Sequence, residues 1–305
     1  TVSSKELLMK EIWIFTLICA IYAGWYLLQN GISAFDEGRI GVFEGGFNAN
    51  DIAKGIAYVG IITLAHFLIH NLKGKLIHIP IIVFMVFLIF LTGSRSALIA
   101  FVVASVFTIL YWLKGSNKVV SASFVIIAFL IACYFAYSYL LRALPELMSR
   151  FTLEDVMDNG GTGRVDVWTA FMQHYFLDYW MFGIGFNASN IYDAVKVVNG
   201  VGHGAHNLIV DILASSGVFG LVVYGMIYVR TYKEMFREVK HDKSMLMFLA
   251  LYTAILATGV GENVFRGRMI WFVNGLILLL ISINKKERDL SAINQLNIED
   301  GSKIL

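Results

Sequence analysis

The chain has 305 residues, 58% hydrophobic and 15% charged, with a mean hydropathy of +0.69; an ordinary soluble domain carries about 25% charge. That apolar load, 23 Phe included, excludes a single soluble core, and a net charge of +2 makes no case for nucleic acid as a partner. Cys19 and Cys133 sit inside apolar runs and supply neither a disulfide framework nor a metal site. The expected fold class is all-α, a polytopic integral membrane helix bundle.

The N-terminal tail with Lys5, Glu6 and Lys10 has no signal-peptide pattern. Opening on Thr1, the chain reads as the C-terminal part of something longer. A bilayer core requires about 20 apolar residues per helix. Eight runs answer to this, at 12–28, 51–70, 76–93, 96–113, 119–141, 206–229, 244–259 and 269–284. The seventh is short, and the second opens with Asp51 and Lys54. The expected organisation is five transmembrane helices over 1–141 with an outer loop at 29–50, then a large extracytoplasmic loop at 142–205. Three more helices over 206–284 and a cytoplasmic tail at 285–305 follow.

Basic residues set the orientation. With a cytoplasmic N-terminus, 15 of the 24 Lys and Arg fall on inner loops and tails, so both termini of this chain are expected inside. The kind of base also differs across the membrane. Only Arg230, Arg237 and Arg288 are arginine among the inner 15. Seven of the nine outer bases are arginine: Arg39, Arg95, Arg142, Arg150, Arg164, Arg266 and Arg268; Lys54 and Lys196 complete the set. Topology has no preference for outer arginine, whereas bidentate grip of phosphate or carboxylate does. Pairing with outer acids such as Asp36, Glu44 and Asp166 is the competing account for any one arginine. For the set, an anionic ligand on the outer face fits better.

Three stretches carry candidate chemistry. Gly202-His203-Gly204-Ala205-His206-Asn207 runs straight into the sixth helix, so His206 falls at a helix start. The positive helix end favours neutral imidazole, which suits a general base, although a capping histidine is the plainer role. His203 and His206 lack a third ligand, and metal is not expected. Next, Gly160-Gly161-Thr162-Gly163-Arg164 precedes a helix with Val165, Trp168, Phe171, Met172, Tyr175 and Tyr179 at spacings of three and four. Such a helix lies flat on the outer leaflet or packs on the protein's own helices. Third, Gly93-Ser94-Arg95 is a tight turn between nearly continuous apolar runs, where a charge marks function. Asp211 lies about 140° around the helix from His206 and reads as half of a structural pair. Asn207, Glu262 and Arg266 sit near outer helix ends, where they can line a cavity.

These residues resemble the O-antigen polymerase and O-antigen ligase family (Wzy and WaaL types). His206-Asn207, nine residues, then Gly217 and Gly220 match the family's His-Asn-x9-Gly-x-x-Gly motif. Gly93-Ser94-Arg95 matches its inter-helix turn. Gly163-Arg164, Trp168 and Phe182-Gly183-Ile184-Gly185 match its "GR…W…FGxG" stretch, and Arg39, Gly41, Phe43, Asn48 and Asn50 its "R-x-G-x-F…N-x-N" loop. Asp178-Tyr179-Trp180 departs from the His-Pro or Asn-Pro usual before FGxG, and members commonly have about a dozen helices. The resemblance implies metal-independent, cofactor-free inverting glycosyl transfer outside the bacterial cytoplasmic membrane. The donor is then an undecaprenyl-pyrophosphate-linked oligosaccharide, and the acceptor a glycan or a lipid-linked glycan. By carry-over, Arg95 and Arg164, with Arg39 and Arg266, hold the pyrophosphate; His206 is the base; Asn207 and Gly163 support. Polymerisation of a surface polysaccharide is the first reading and ligation to a lipid A core the alternative. A flippase for the same lipids is a third, and it predicts broken helices at mid-membrane.

Overall fold

The computed structural model describes residues 4–30, 49–69, 78–114, 119–149, 151–152, 164–199, 204–262 and 264–302. They form helices and the turns between them, with no strand among the described residues. The five helices of the first half are α1 (Ser4–Asn30), α2 (Ala49–Ile69), α3 (His78–Leu91), α4 (Arg95–Leu113) and α5 (Val119–Ala143). A short α6 (Pro145–Ser149) follows. Then α7 (Arg164–Phe171) continues through a π-helical turn at Met172–Phe176 into Leu177–Tyr179. The chain ends with α8 (Ala188–Asn199), α9 (Leu208–His241), α10 (Met245–Thr258) and α11 (Arg268–Ser302).

Every one of the eight apolar runs falls on a helix. Among the described residues, four helices are long and apolar enough to cross a membrane: Ala49–Ile69, Arg95–Leu113, Leu208–His241 and Arg268–Ile293. His78–Leu91 and Met245–Thr258 are apolar but shorter. The brevity of α10 has a packing reason. From Met245 to Ile255 all its side chains are buried, as in a helix enclosed on all sides rather than facing lipid. Around it lie Ala53, Ala57 and Ile61 of α2, Ala97, Phe101 and Ala104 of α4, and Ile270, Val273 and Ile277 of α11. Small residues spaced by four on α2 let the backbones approach closely. By contrast, α1 and α5 expose Phe15, Ile21, Tyr22, Leu130, Tyr134 and Phe135, the surface expected against lipid.

Among the described residues of 142–205, most are helical. The helix predicted after Arg164 exists, and it packs on the protein itself: Val167 and Phe171 are buried with Ile191, Ala205 and Ala214. Its far side, with Leu177 and Tyr179, stays exposed and continues into Trp180, Met181 and Phe182. The account in which the helix packs on the protein therefore holds for its inner face, and its other face is apolar and exposed.

Candidate active site

The site is built on an interruption in α9. Gly217 sits at φ +62° and ψ −164° inside this otherwise helical segment. A side chain there would meet the Met181 backbone as well as a disfavoured φ. In an unbroken helix the N–H groups of Val218 and Phe219 would bond the carbonyls of Ala214 and Ser215. Here the break releases all four, and one loop takes them up. Val218 and Phe219 donate to the carbonyls of Trp180 and Met181 at 2.8 and 3.1 Å. Ile184 and Gly185 donate to Ala214 and Ser215 at 2.7 and 3.2 Å. Gly183, at φ +71°, makes the turn between the two sets, where a Cβ would collide with the Ala214 carbonyl. The Phe182-Gly183-Ile184-Gly185 and Gly217 motifs are thus two halves of one backbone junction.

Arg266 fastens this junction from the side. Its Nε donates to Asp211 Oδ1 at 2.9 Å, Nη1 to the Phe186 carbonyl at 2.5 Å and Nη2 to Ser215 Oγ at 2.7 Å. Asp211 is 1% exposed, so its charge requires such a partner. The structural pairing expected of Asp211 is found here. Arg266, expected on the pyrophosphate, spends three of its nitrogens on protein oxygens.

His206 immediately precedes α9. Asn207 is the N-cap, its side-chain oxygen accepting from the Ile209 and Val210 N–H groups at 2.9 and 3.1 Å. Its Nδ2 donates to the Val260 carbonyl, and the Leu208 N–H to Gly259, so the helix start is tied to the loop after α10. With Asn207 as the cap, His206 is spared that duty. It takes φ +45°, a conformation rare outside glycine and one that clusters at functional sites. The preceding residue is fixed by the Trp168 indole, which donates to the Ala205 carbonyl at 2.6 Å. Nδ1 of His206 is buried although 38% of the side chain is exposed, so the open part of the ring lies away from Nδ1.

Nδ1 faces Glu262 Oε2 at 3.9 Å, beyond direct hydrogen-bond length. The same carboxylate meets Arg164 Nη2 at 3.5 Å through Oε1 and Lys54 Nζ at 3.7 Å through Oε2. Lys54 is also held by Asp51 at 2.6 Å. Burial pushes the Glu262 carboxyl up, but His206, Lys54 and Arg164 together outweigh it and hold the group below its ordinary value of 4.5. Gly261 lets these parts approach: a Cβ there would stand 2.9 Å from Arg164 Nη1 and 3.0 Å from Ser96 Cβ. Ser96 follows Arg95, the first residue of α4, so the Gly-Ser-Arg turn abuts the same spot.

Of the sequence candidates, the structure brings together His206, Asn207, Arg164 and the turn carrying Arg95. It sets Arg266 on the junction instead. Arg39 and Gly163 lie outside the described residues. Two members of the cluster escaped sequence reasoning in this role. Glu262 was legible only as a polar residue near a helix end, and Lys54 only as one of two outer lysines. The signal available was an acid and a base each next to an apolar run, which does not say that the two meet.

Comparison with known proteins gives one match: residues 80–225 fit the family model Wzy_C, described as O-antigen ligase. The matched stretch holds Arg95, Arg164, Trp168, the Gly183 loop, His206, Gly217 and Gly220, and supports assignment to the O-antigen ligase/polymerase family. No curated protein and no solved structure matches the chain.

Proposed function

Taking the family assignment as premise, we propose that this protein is a membrane glycosyltransferase acting on lipid-linked glycans at the outer face of the bacterial inner membrane. The observation that carries the reading is the convergence of Arg164 and His206, from two separate motifs, on Glu262. All eight apolar helices cross the bilayer, with both ends of the chain inside and residues 142–205 outside. The donor is an undecaprenyl-pyrophosphate-linked oligosaccharide whose pyrophosphate lies against Arg164 and Arg95, with Arg39 on the same face.

The chemistry is an inverting displacement that uses no metal. The exposed part of the His206 ring accepts the proton of the acceptor hydroxyl as its oxygen bonds to the anomeric carbon. The bond from that carbon to the pyrophosphate breaks, and the electron pair leaves on the lipid pyrophosphate, where arginine stabilises the charge. Glu262 then faces the imidazolium through Nδ1. The first reading of the acceptor is a second lipid-linked repeat unit, making the enzyme a polymerase of O-antigen, capsule or exopolysaccharide; ligation to a lipid A core is the alternative. The break in α9 is the observation that favours a flippase, but the Val218 and Phe219 N–H groups and the Ala214 and Ser215 carbonyls that it releases bond to residues 180–185 rather than facing a cargo.

The test incubates purified protein with its lipid-pyrophosphate repeat unit and resolves the products on a gel. A ladder that His206→Ala reduces by about 10²-fold or more supports the base role. Transfer only when a lipid A core is supplied makes the enzyme a ligase. Near-normal turnover in His206→Ala removes the histidine from the mechanism.

A further inference from the structure

The arrangement around Glu262 is unusual for a buried acid. Its side chain is 7% exposed, yet none of its three basic neighbours approaches closer than 3.5 Å. A charge-assisted pair that has settled into its best geometry closes to about 2.7–2.9 Å. The same chain reaches that value elsewhere, at Arg288 with Glu238 and Lys54 with Asp51. Glu262 is therefore shared among Lys54, Arg164 and His206 rather than committed to one. Lys54 and Arg164 approach it on different oxygens, side chains 19% and 25% exposed. Two cations held apart by one carboxylate form a seat whose natural occupant carries more oxygens and more charge than a carboxylate does.

We infer that Glu262 is a placeholder for the donor's diphosphate, and that Lys54 is a further anion-binding residue of the site. This rests on the reading that Arg164 binds that diphosphate. With no diphosphate bound, Glu262 helps to neutralise Arg164 and, together with Asp51, Lys54, both of which are largely buried. A diphosphate that takes over both cations leaves the carboxylate with one basic neighbour, His206. At that point the imidazole has an anion on its Nδ1 side to stabilise the proton it receives from the acceptor. Donor binding thus completes the base, and an acceptor arriving first meets a histidine whose carboxylate is still engaged. Order of binding follows from an exchange of counter-ions, with no movement of a helix.

The probe is farnesyl diphosphate, with farnesol as the control for the isoprenoid chain, titrated calorimetrically into the purified full chain in detergent. Lys54→Met is expected to weaken farnesyl diphosphate by about 10-fold, the loss of one charge-assisted contact, and Lys54→Arg to stay within about 2-fold. Glu262→Gln, which removes the competing charge at constant volume, is expected to tighten binding by about 5-fold while turnover falls by about 10²-fold. Glu262→Asp, retaining the charge on a shorter arm, tightens in the same direction and serves if the glutamine variant does not fold. Unchanged or weaker binding in both Glu262 variants overturns the placeholder, because a carboxylate that competes with the diphosphate for Lys54 and Arg164 must weaken it when present. Unchanged binding in Lys54→Met overturns the assignment of Lys54. A wild-type chain that binds farnesyl diphosphate no better than farnesol refutes the donor site itself, and this inference with it.

Discussion

Glu238 and Glu262 are 4% and 5% exposed and each meets an arginine, yet they are held in opposite ways. At the far end of α9, Glu238 accepts two bonds of 2.7 Å from the two terminal nitrogens of Arg288 on α11, and Asn284 adds a third at 3.3 Å. Both oxygens are used in the bidentate geometry that makes such pairs strong. At the other end, Glu262 faces three basic groups at 3.5–3.9 Å and is committed to none. The first arrangement has one low-energy answer and ties two helices together. The second has several answers of similar energy, as a group must if it is to exchange partners during a reaction. On the reading proposed above, bond length and partner number, rather than burial or residue type, set Glu262 apart from Glu238.

Alanine at each glutamate tests that separation most severely. Glu238→Ala removes two charge-assisted bonds from Arg288, whose side chain is 39% exposed, so water offsets part of the loss and the cost is about 1–3 kcal/mol. The expected result is a clearly lowered melting temperature in detergent with turnover per folded molecule unchanged. Glu262→Ala is expected to do the reverse, losing most turnover with a much smaller drop in melting temperature. Equal thermal losses would erase the distinction.

A smaller effect sharpens the end that holds His206. Trp168→Phe removes the bond to the Ala205 carbonyl and leaves a buried acceptor without its indole donor, a loss of about 1–3 kcal/mol. Because that carbonyl directly precedes His206, part of the loss falls on catalytic placement. We expect kcat about 10-fold lower with KM little changed. A change confined to KM would mean that the indole serves the substrate instead.

The smallest expected effect is on pH. The Glu262 carboxyl is held below 4.5, so the folded state binds its proton less readily than the unfolded chain. Its contribution to stability is therefore complete above 4.5 and is lost as pH falls below that value through the depressed folded pKa. Melting curves of wild type and Glu262→Gln should converge in that acidic window and be most separate at neutral pH. Convergence on the alkaline side instead would mean that the carboxyl is pushed up by burial.

Much of the fold was legible because apolar runs of bilayer length have few alternatives to helix. All eight runs are helical, the short seventh included, and its central position emerges only from the packing. The motif residues were legible as well, though not all in their roles. Gly217 and Gly183 stood out by spacing, but only the backbone bonds reveal that one motif plugs the helix break made by the other. Arg266 and Arg164 look alike in sequence, both arginines flanked by glycine. They diverge because Asp211, Phe186 and Ser215 surround one, while the other, among the described residues, meets a shared glutamate.

By itself, then, the sequence determined the helices, the division into lysine-rich and arginine-rich connecting segments and the residues capable of chemistry, since hydropathy and side-chain type are local properties. The tertiary structure alone decided which arginine is a fastener, and that Lys54 and Glu262 belong with His206. Those contacts join residues 54, 164, 206 and 262 from four separate stretches of chain, and an ion pair across such separations leaves no periodicity to read.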